Sequence, residues 1–190
     1  FAKCNKLTTI IIPNETAKLD FSSFEDCVNL ETVVLPKKLT VLGTGLFSGC
    51  TKLKNIELPE SVTEIGDFAF FGCISLQEIT IGENITKVGY YIISNCTALK
   101  TITFGNNIET IGNEICGWCT SLRNVYCKSI EPPVLGNRAF AYYNSYGLGS
   151  WVTVSYLESI YVPMESVDAY KSASGWSTYS KYIVGYDFED

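Results

Sequence analysis

Cysteine is the residue type with the most chemistry to offer in this chain, which has eight cysteines and no histidine. Cys116 and Cys119 form C-G-W-C, the spacing of a thioredoxin-type redox site. Redox work needs the first sulfur exposed at a helix N-terminus, with a depressed pKa. Together with Cys127 and Cys96 the pair could also offer thiolates to zinc, although structural zinc sites want four ligands. The third chemistry is disulfide bonding. Without histidine the commonest general base is missing.

Spacing decides among these. Cys4, Cys27, Cys50, Cys73, Cys96 and Cys119 recur at an interval of 23 residues. A fixed period of this length signals a solenoid of stacked turns. The third residue after each cysteine is Leu7, Leu30, Leu53, Leu76, Leu99 or Leu122. The sixth and eighth are apolar and mostly alternate with polar residues, from Ile10 and Ile12 through to Val125 and Cys127. That is the pattern of a half-buried strand. Pro13, Pro36, Pro59, Gly82 and Gly105 then end the strand. A second apolar pair follows (Leu39/Leu42, Val62/Ile65, Ile85/Val88, Ile108/Ile111). After it, Gly43, Gly66, Gly89 and Gly112 are expected at positive φ. Phe24, Phe47, Phe70, Ile93 and Cys116 close the unit.

Each unit is too small to bury its own apolar face, so the units must stack, at about 4.8 Å per turn. Stacking turns the cysteines into rungs of a core. Cys119 belongs to that ladder, Cys116 to the phenylalanine column and Cys127 to a strand column. Buried free thiols are therefore expected, since parallel stacked side chains suit the disulfide torsion poorly. The carboxylates are scattered one or two per repeat, and no glycine-rich phosphate loop follows a strand. No enzyme activity, catalytic residue, metal or cofactor is expected.

The net charge of −6 argues against nucleic acid, which needs clustered Lys and Arg. No run of about 18 apolar residues offers a membrane span. The start, FAKCNKL, is not a signal peptide. Phe1 stands three residues before Cys4, in the phenylalanine column, so upstream repeats or a leader are expected to have been removed.

The pattern C-x-x-L-x-x-I-x-[LI]-P-x-x-[VIL]-x-x-[IL]-G-x-x-x-F-x-x-C resembles the BspA-like, or treponemal-type, bacterial leucine-rich repeat family. The resemblance covers residues 1 to about 140 and resumes at Leu157. It departs at Thr16, Asp20, Ile93 and Cys116. It implies a right-handed, curved leucine-rich-repeat solenoid in which each repeat gives one main strand to a parallel sheet. Short strands, turns or helical turns would form the other face. It also implies a non-enzymatic interaction or adhesion module of a secreted or cell-surface bacterial protein. The partner would be a protein on a host or bacterial surface. A carbohydrate-binding module with a glycan partner, or a passive spacer, are the alternatives.

The expected organisation is a solenoid over 1–163 and a C-terminal α/β cap over 164–190. Within the solenoid a partial repeat (1–3) precedes regular repeats (4–118) and an irregular one (119–163). The irregular unit has Glu131-Pro132-Pro133 where an aliphatic residue is due, then about 11 inserted residues within 141–156, read as a long aromatic loop. In the tail, Ser166 is expected to cap a short helix through about Ala173, ended near Gly175. Trp176 and Tyr179 should cover the last turn, and Ile183 and Val184 should add a final strand.

Outward strand positions are the fifth and seventh after each cysteine. They read Thr9, Thr32, Asn55, Glu78, Thr101, Asn124, Ser159 and Ile11, Val34, Glu57, Thr80, Thr103, Tyr126, Tyr161. Tyr126 and Tyr161, with Tyr142, Tyr143, Tyr146 and Trp151 of the inserted loop, are the candidate partner-binding residues. Tyr and Trp bury much area while keeping a polar handle. The plainer alternative is that the loop aromatics fold over the end of the solenoid as part of the cap.

Overall fold

The computed structural model describes residues 1–144, 152–154 and 156–188. The chain is a parallel β-solenoid of about seven turns. Its strands are β1 (Thr9–Ile11), β2 (Lys18–Leu19), β3 (Thr32–Val34), β4 (Val41–Leu42), β5 (Glu64–Ile65), β6 (Glu78–Ile81), β7 (Lys87–Val88), β8 (Thr101–Phe104), β9 (Thr110–Ile111), β10 (Asn124–Cys127) and β11 (Val134–Leu135). A hairpin of β12 (Tyr142–Asn144) and β13 (Val152–Val154) precedes β14 (Ser159–Pro163), α1 (Val167–Ser172) and β15 (Ile183–Tyr186). The inserted stretch is thus not wholly a loop. Its described part pairs antiparallel, with Tyr142 opposite Val154.

Register follows the period. Ile79, Ile102 and Val125 pair in successive turns, one repeat apart. At the insertion the step lengthens, and Val125 pairs with Ile160. The same-face alternation keeps apolar columns inward, so Leu53, Leu76, Phe104 and Val125 are fully buried. Each such side chain contributes about 1.5–3 kcal/mol of burial. Phe1, Phe24, Phe47 and Phe70 stack in a column with ring centroids 5.5–5.7 Å apart.

The cysteines are all free, and all but Cys4 are buried. Five of them donate between turns, while Cys127 accepts from the Tyr170 hydroxyl. Cys27, Cys50, Cys73, Cys96 and Cys119 each direct Sγ at a carbonyl of the preceding turn, 3.1–3.2 Å away, at Phe1, Phe24, Phe47, Phe70 and Ile93. The Phe24 carbonyl also accepts the Cys27 N–H at 3.2 Å, so the thiol of Cys50 occupies its second lone pair. Burial pushes the Cys50 thiol up to about 12 and Cys73 and Cys96 well above the ordinary value, so the donors stay protonated.

The glycine column corrects the expectation of positive φ. Gly43 and Gly66 have ordinary backbone; a Cβ there would stand 2.5 Å from the backbone N of Phe21 or Thr44 in the preceding turn. Close approach between turns selects glycine here, not left-handed geometry. The left-handed positions lie a few residues on, in two other columns. One contains Gly45, Phe68 and Tyr91; the other contains Asp26, Gly49, Asn95 and Trp118.

The C-terminal segment closes the last turn. Trp176 and Tyr170 are fully buried, and the Trp176 indole donates to the Pro133 carbonyl at 2.8 Å. Tyr170 donates to the Ser129 carbonyl at 2.8 Å, and the Phe140 N–H donates to the Tyr179 hydroxyl at 3.3 Å. The final strand is longer than Ile183–Val184 and pairs with β14 through Tyr186. Ser166 does sit at the N-cap of α1, but its side chain makes no cap bond and its Oγ is buried without a partner. A 3-10 turn over Met164–Ser166 precedes α1 and puts Ser166 in helical rather than extended backbone, which turns the hydroxyl from the orphan N–H groups.

The strand face is not one sheet. β6, β8, β10, β14 and β15 form five strands, β1 and β3 form two, and between them Asn55–Leu58 makes no strand. The turns behind this break stay joined, as in the bonds from Phe47 N–H to the Ala69 carbonyl and from Gly49 N–H to the Phe71 carbonyl, both 2.8 Å.

Candidate functional site

At the C-terminal end of the strand face, register brings aromatic residues of separate turns together. Tyr126 of β10 lies opposite Tyr161 of β14, and their rings stack 4.5 Å apart at 14°. On its other side Tyr126 faces Thr103 of β8. In β15, Val184 is level with Tyr161 and Tyr186 with Pro163. Strand alternation puts Val184 and Tyr186 on the outward face with the tyrosine pair. Tyr186 stands edge-on to both rings, 5.6 Å from Tyr126 and 5.3 Å from Tyr161. Phe188 adds a fourth ring 5.0 Å from Tyr186. Val184 and Tyr186 are each 40% exposed, so the cluster is open to a partner.

Burial, then the nearby Tyr161 and Tyr186, raise the Tyr126 phenol above its ordinary value, and it stays a hydrogen-bond donor. Charge is supplied where the same two strands begin. There Arg123 lies 3.7 Å from Glu158 and 5.4 Å above the Tyr156 ring.

Of the six residues singled out from sequence, the structure brings Tyr126 and Tyr161 together. Tyr142 and Tyr143 lie on β12, with side chains outside the described residues; Tyr146 and Trp151 lie outside them altogether. Sequence reading missed Val184, Tyr186 and Phe188. A signal was present, because once Ile183 is placed inward, every second residue after Val184 must face outward.

The C-G-W-C pair is in the core, with Cys116 2% and Cys119 6% exposed. Burial raises the Cys116 thiol well above its ordinary value. At Cys119 burial opposes the thiolate while contacts from the Cys116 and Cys96 thiols favour it. The Cys119 Sγ lies 3.1 Å from the Ile93 carbonyl, inside the core.

Six copies of the BspA-type leucine-rich repeat region match the chain, over residues 1–96 and 45–161. A leucine-rich repeat protein of Bacteroides ovatus is 28% identical with a TM-score of 0.66, over 86% of this chain and 51% of that one. The pneumococcal vaccine antigen PcpA is 25% identical with a TM-score of 0.72, over 94% of this chain and 41% of that one. A leucine-rich cell surface protein of Faecalibacterium prausnitzii, 21% identical with a TM-score of 0.59 over 85% of this chain and 56% of that one, shares the fold. The chain thus spans about half, or less, of the first two structures. No curated protein matches it in sequence.

Proposed function

Since the chain belongs to the BspA-type leucine-rich repeat family, we propose that it is an adhesion module whose protein partner docks on the C-terminal aromatic end of the strand face. The observation that carries this reading is the four-ring cluster of Tyr126, Tyr161, Tyr186 and Phe188. Tyrosine-rich, partly buried clusters are the surfaces on which a few residues dominate binding energy. Tyr142, Tyr143, Tyr146 and Trp151 belong to the insertion that leads into β14 and are part of the proposed surface. A secreted or surface-attached setting accords with the similar structures, one of which is a cell surface protein and another a vaccine antigen.

A protein partner is favoured over a glycan by ring geometry. Sugars stack on free aromatic faces, whereas Tyr126 and Tyr161 each turn one face to the other and Tyr186 packs T-shaped against both. The test is a Tyr126→Ala/Tyr161→Ala double variant, assayed against immobilised extracellular-matrix proteins and a glycan array. A loss of about 30-fold in protein affinity with the fold intact supports the reading. Unchanged protein binding, or strong glycan signals without any protein ligand, sinks it.

A further inference from the structure

The break in the strand face has a cause in the sequence. Asn55 and Glu57 are the outward pair of the third turn, and both residue types are depleted in strands. The neighbouring turns carry Thr32 with Val34, and Glu78 with Thr80. Glu78 of the next turn adds a second carboxylate beside Glu57 on the same cleft. The inward residues still pack on the core, with Leu53 fully buried, Ile56 7% exposed and Leu58 half-buried. The core therefore holds this turn in place while its outward residues fail to zip the ladder.

Unpaired backbone results on both sides. The Thr32 N–H donates back to the Thr8 carbonyl and the Val34 carbonyl accepts from Ile12 N–H. By strand alternation, Val33 turns its N–H and C=O toward the third turn. Among the described residues no backbone bond joins Asn55–Leu58 to either neighbouring turn; the ladder ends at the bond from Gln77 N–H to the Lys54 carbonyl, 3.1 Å. Pro59 has no N–H to offer back to the second turn. A cleft of about 1040 Å³ opens between Thr32–Leu35 and Asn55–Ser61, and a second of about 630 Å³ opens between Asn55–Leu58 and β6.

We propose that the larger cleft binds an extended peptide segment with basic side chains, which adds to the free edge of β3 as an extra strand. An unsatisfied strand edge recruits a strand through its main-chain groups, and the rim sets side-chain preference. The rim here is acidic. Glu57 and Glu60 line the larger cleft and Glu57 and Glu78 the smaller, and none of the three carboxylates has an ion pair among the described residues. Lys37 and Lys54 are the basic residues of the larger cleft, and the smaller has none. Ile11 and Val34 stand 69% and 48% exposed on the adjoining outward column, where apolar residues of an added strand would pack. This site is separate from the aromatic end and does not depend on it.

The test uses the whole chain and a fluorescent acetyl-Lys-Val-Lys-Val-Lys-Val-amide probe, followed by anisotropy. The expected result is saturable binding at or below about 1 mM, weakened roughly tenfold or more by Glu in place of Lys, and equally by backbone N-methylation, which deletes donors. An Asn55→Thr/Glu57→Val variant, in which the rungs can pair, should lose the probe by a similar factor. Tyr126→Ala/Tyr161→Ala should keep it. In the free wild-type chain, hydrogen exchange should be fast at Val33 and Asn55–Leu58 and slow at Ile102 and Val125. Indifference to N-methylation or to charge, loss of the probe in the tyrosine variant, or slow exchange at Asn55–Leu58 would overturn the proposal.

Discussion

The C-terminal end of the strand face and its third turn are built on the same inward ladder and behave oppositely. From β6 to β15 five strands pair in register, and the outward residues at the far end are rings stacked across turns. At the third turn the inward residues Leu53 and Ile56 are still buried, yet the strand is absent. Repetition of the core therefore does not guarantee a continuous sheet. Core columns set the stacking of turns, and outward cross-strand pairs set whether neighbouring strands close.

That contrast can be broken most severely from the C-terminal side. Trp176→Ala removes a fully buried ring and its bond to Pro133, and should cost about 3–5 kcal/mol in urea unfolding. Fluorescence of the strand-face tyrosines should report loss of the aromatic end; unfolding confined to the first three turns would contradict the reading. Alkaline pH attacks the part both regions share. The folded Cys50 thiol titrates near 12 against an ordinary 9.0, so its contribution is complete below about pH 9 and is lost as pH rises toward 12. A pH-melting series in which stability held constant over that window would show that the thiol ladder contributes little.

Asn55→Thr/Glu57→Val should sharpen the comparison by making the third turn resemble its neighbours. It should add about 1–2 kcal/mol of stability and slow amide exchange at Ile56. An unstable variant would mean that the break is forced by backbone geometry and not by the outward residues. The smallest effect is the coupling between Tyr126 and Tyr161, which a double-mutant cycle in thermal unfolding should put at about 0.5–1.5 kcal/mol. A value near zero would mean that the two rings are merely adjacent.

Much of this fold is legible from particular residues. The cysteine interval, the leucine third after each cysteine and the closing phenylalanine place the turns, and the column each cysteine of C-G-W-C occupies puts that pair in the core. Of the proposed binding surface, Tyr126 and Tyr161 are legible because both fall on the outward seventh position. Tyr186 and Phe188 escaped because they follow a tail with no repeat to count from. Gly43 and Gly66 stand out in the sequence, but close approach of the preceding turn, and not positive φ, requires them. The sequence marks where a side chain is not tolerated without saying whether torsion or a neighbouring turn forbids it.

By itself the sequence determined the stacking of turns, the inward ladders and the turn positions, because a strict period presents the same apolar residues to the same neighbours at each step. Tertiary structure alone decided which rungs pair, which cysteine meets which carbonyl and which four rings gather at the C-terminal end. Those outcomes depend on contacts between residues a full turn or more apart, including the long step from Val125 to Ile160, and no local pattern along the chain encodes the geometry at which distant turns meet.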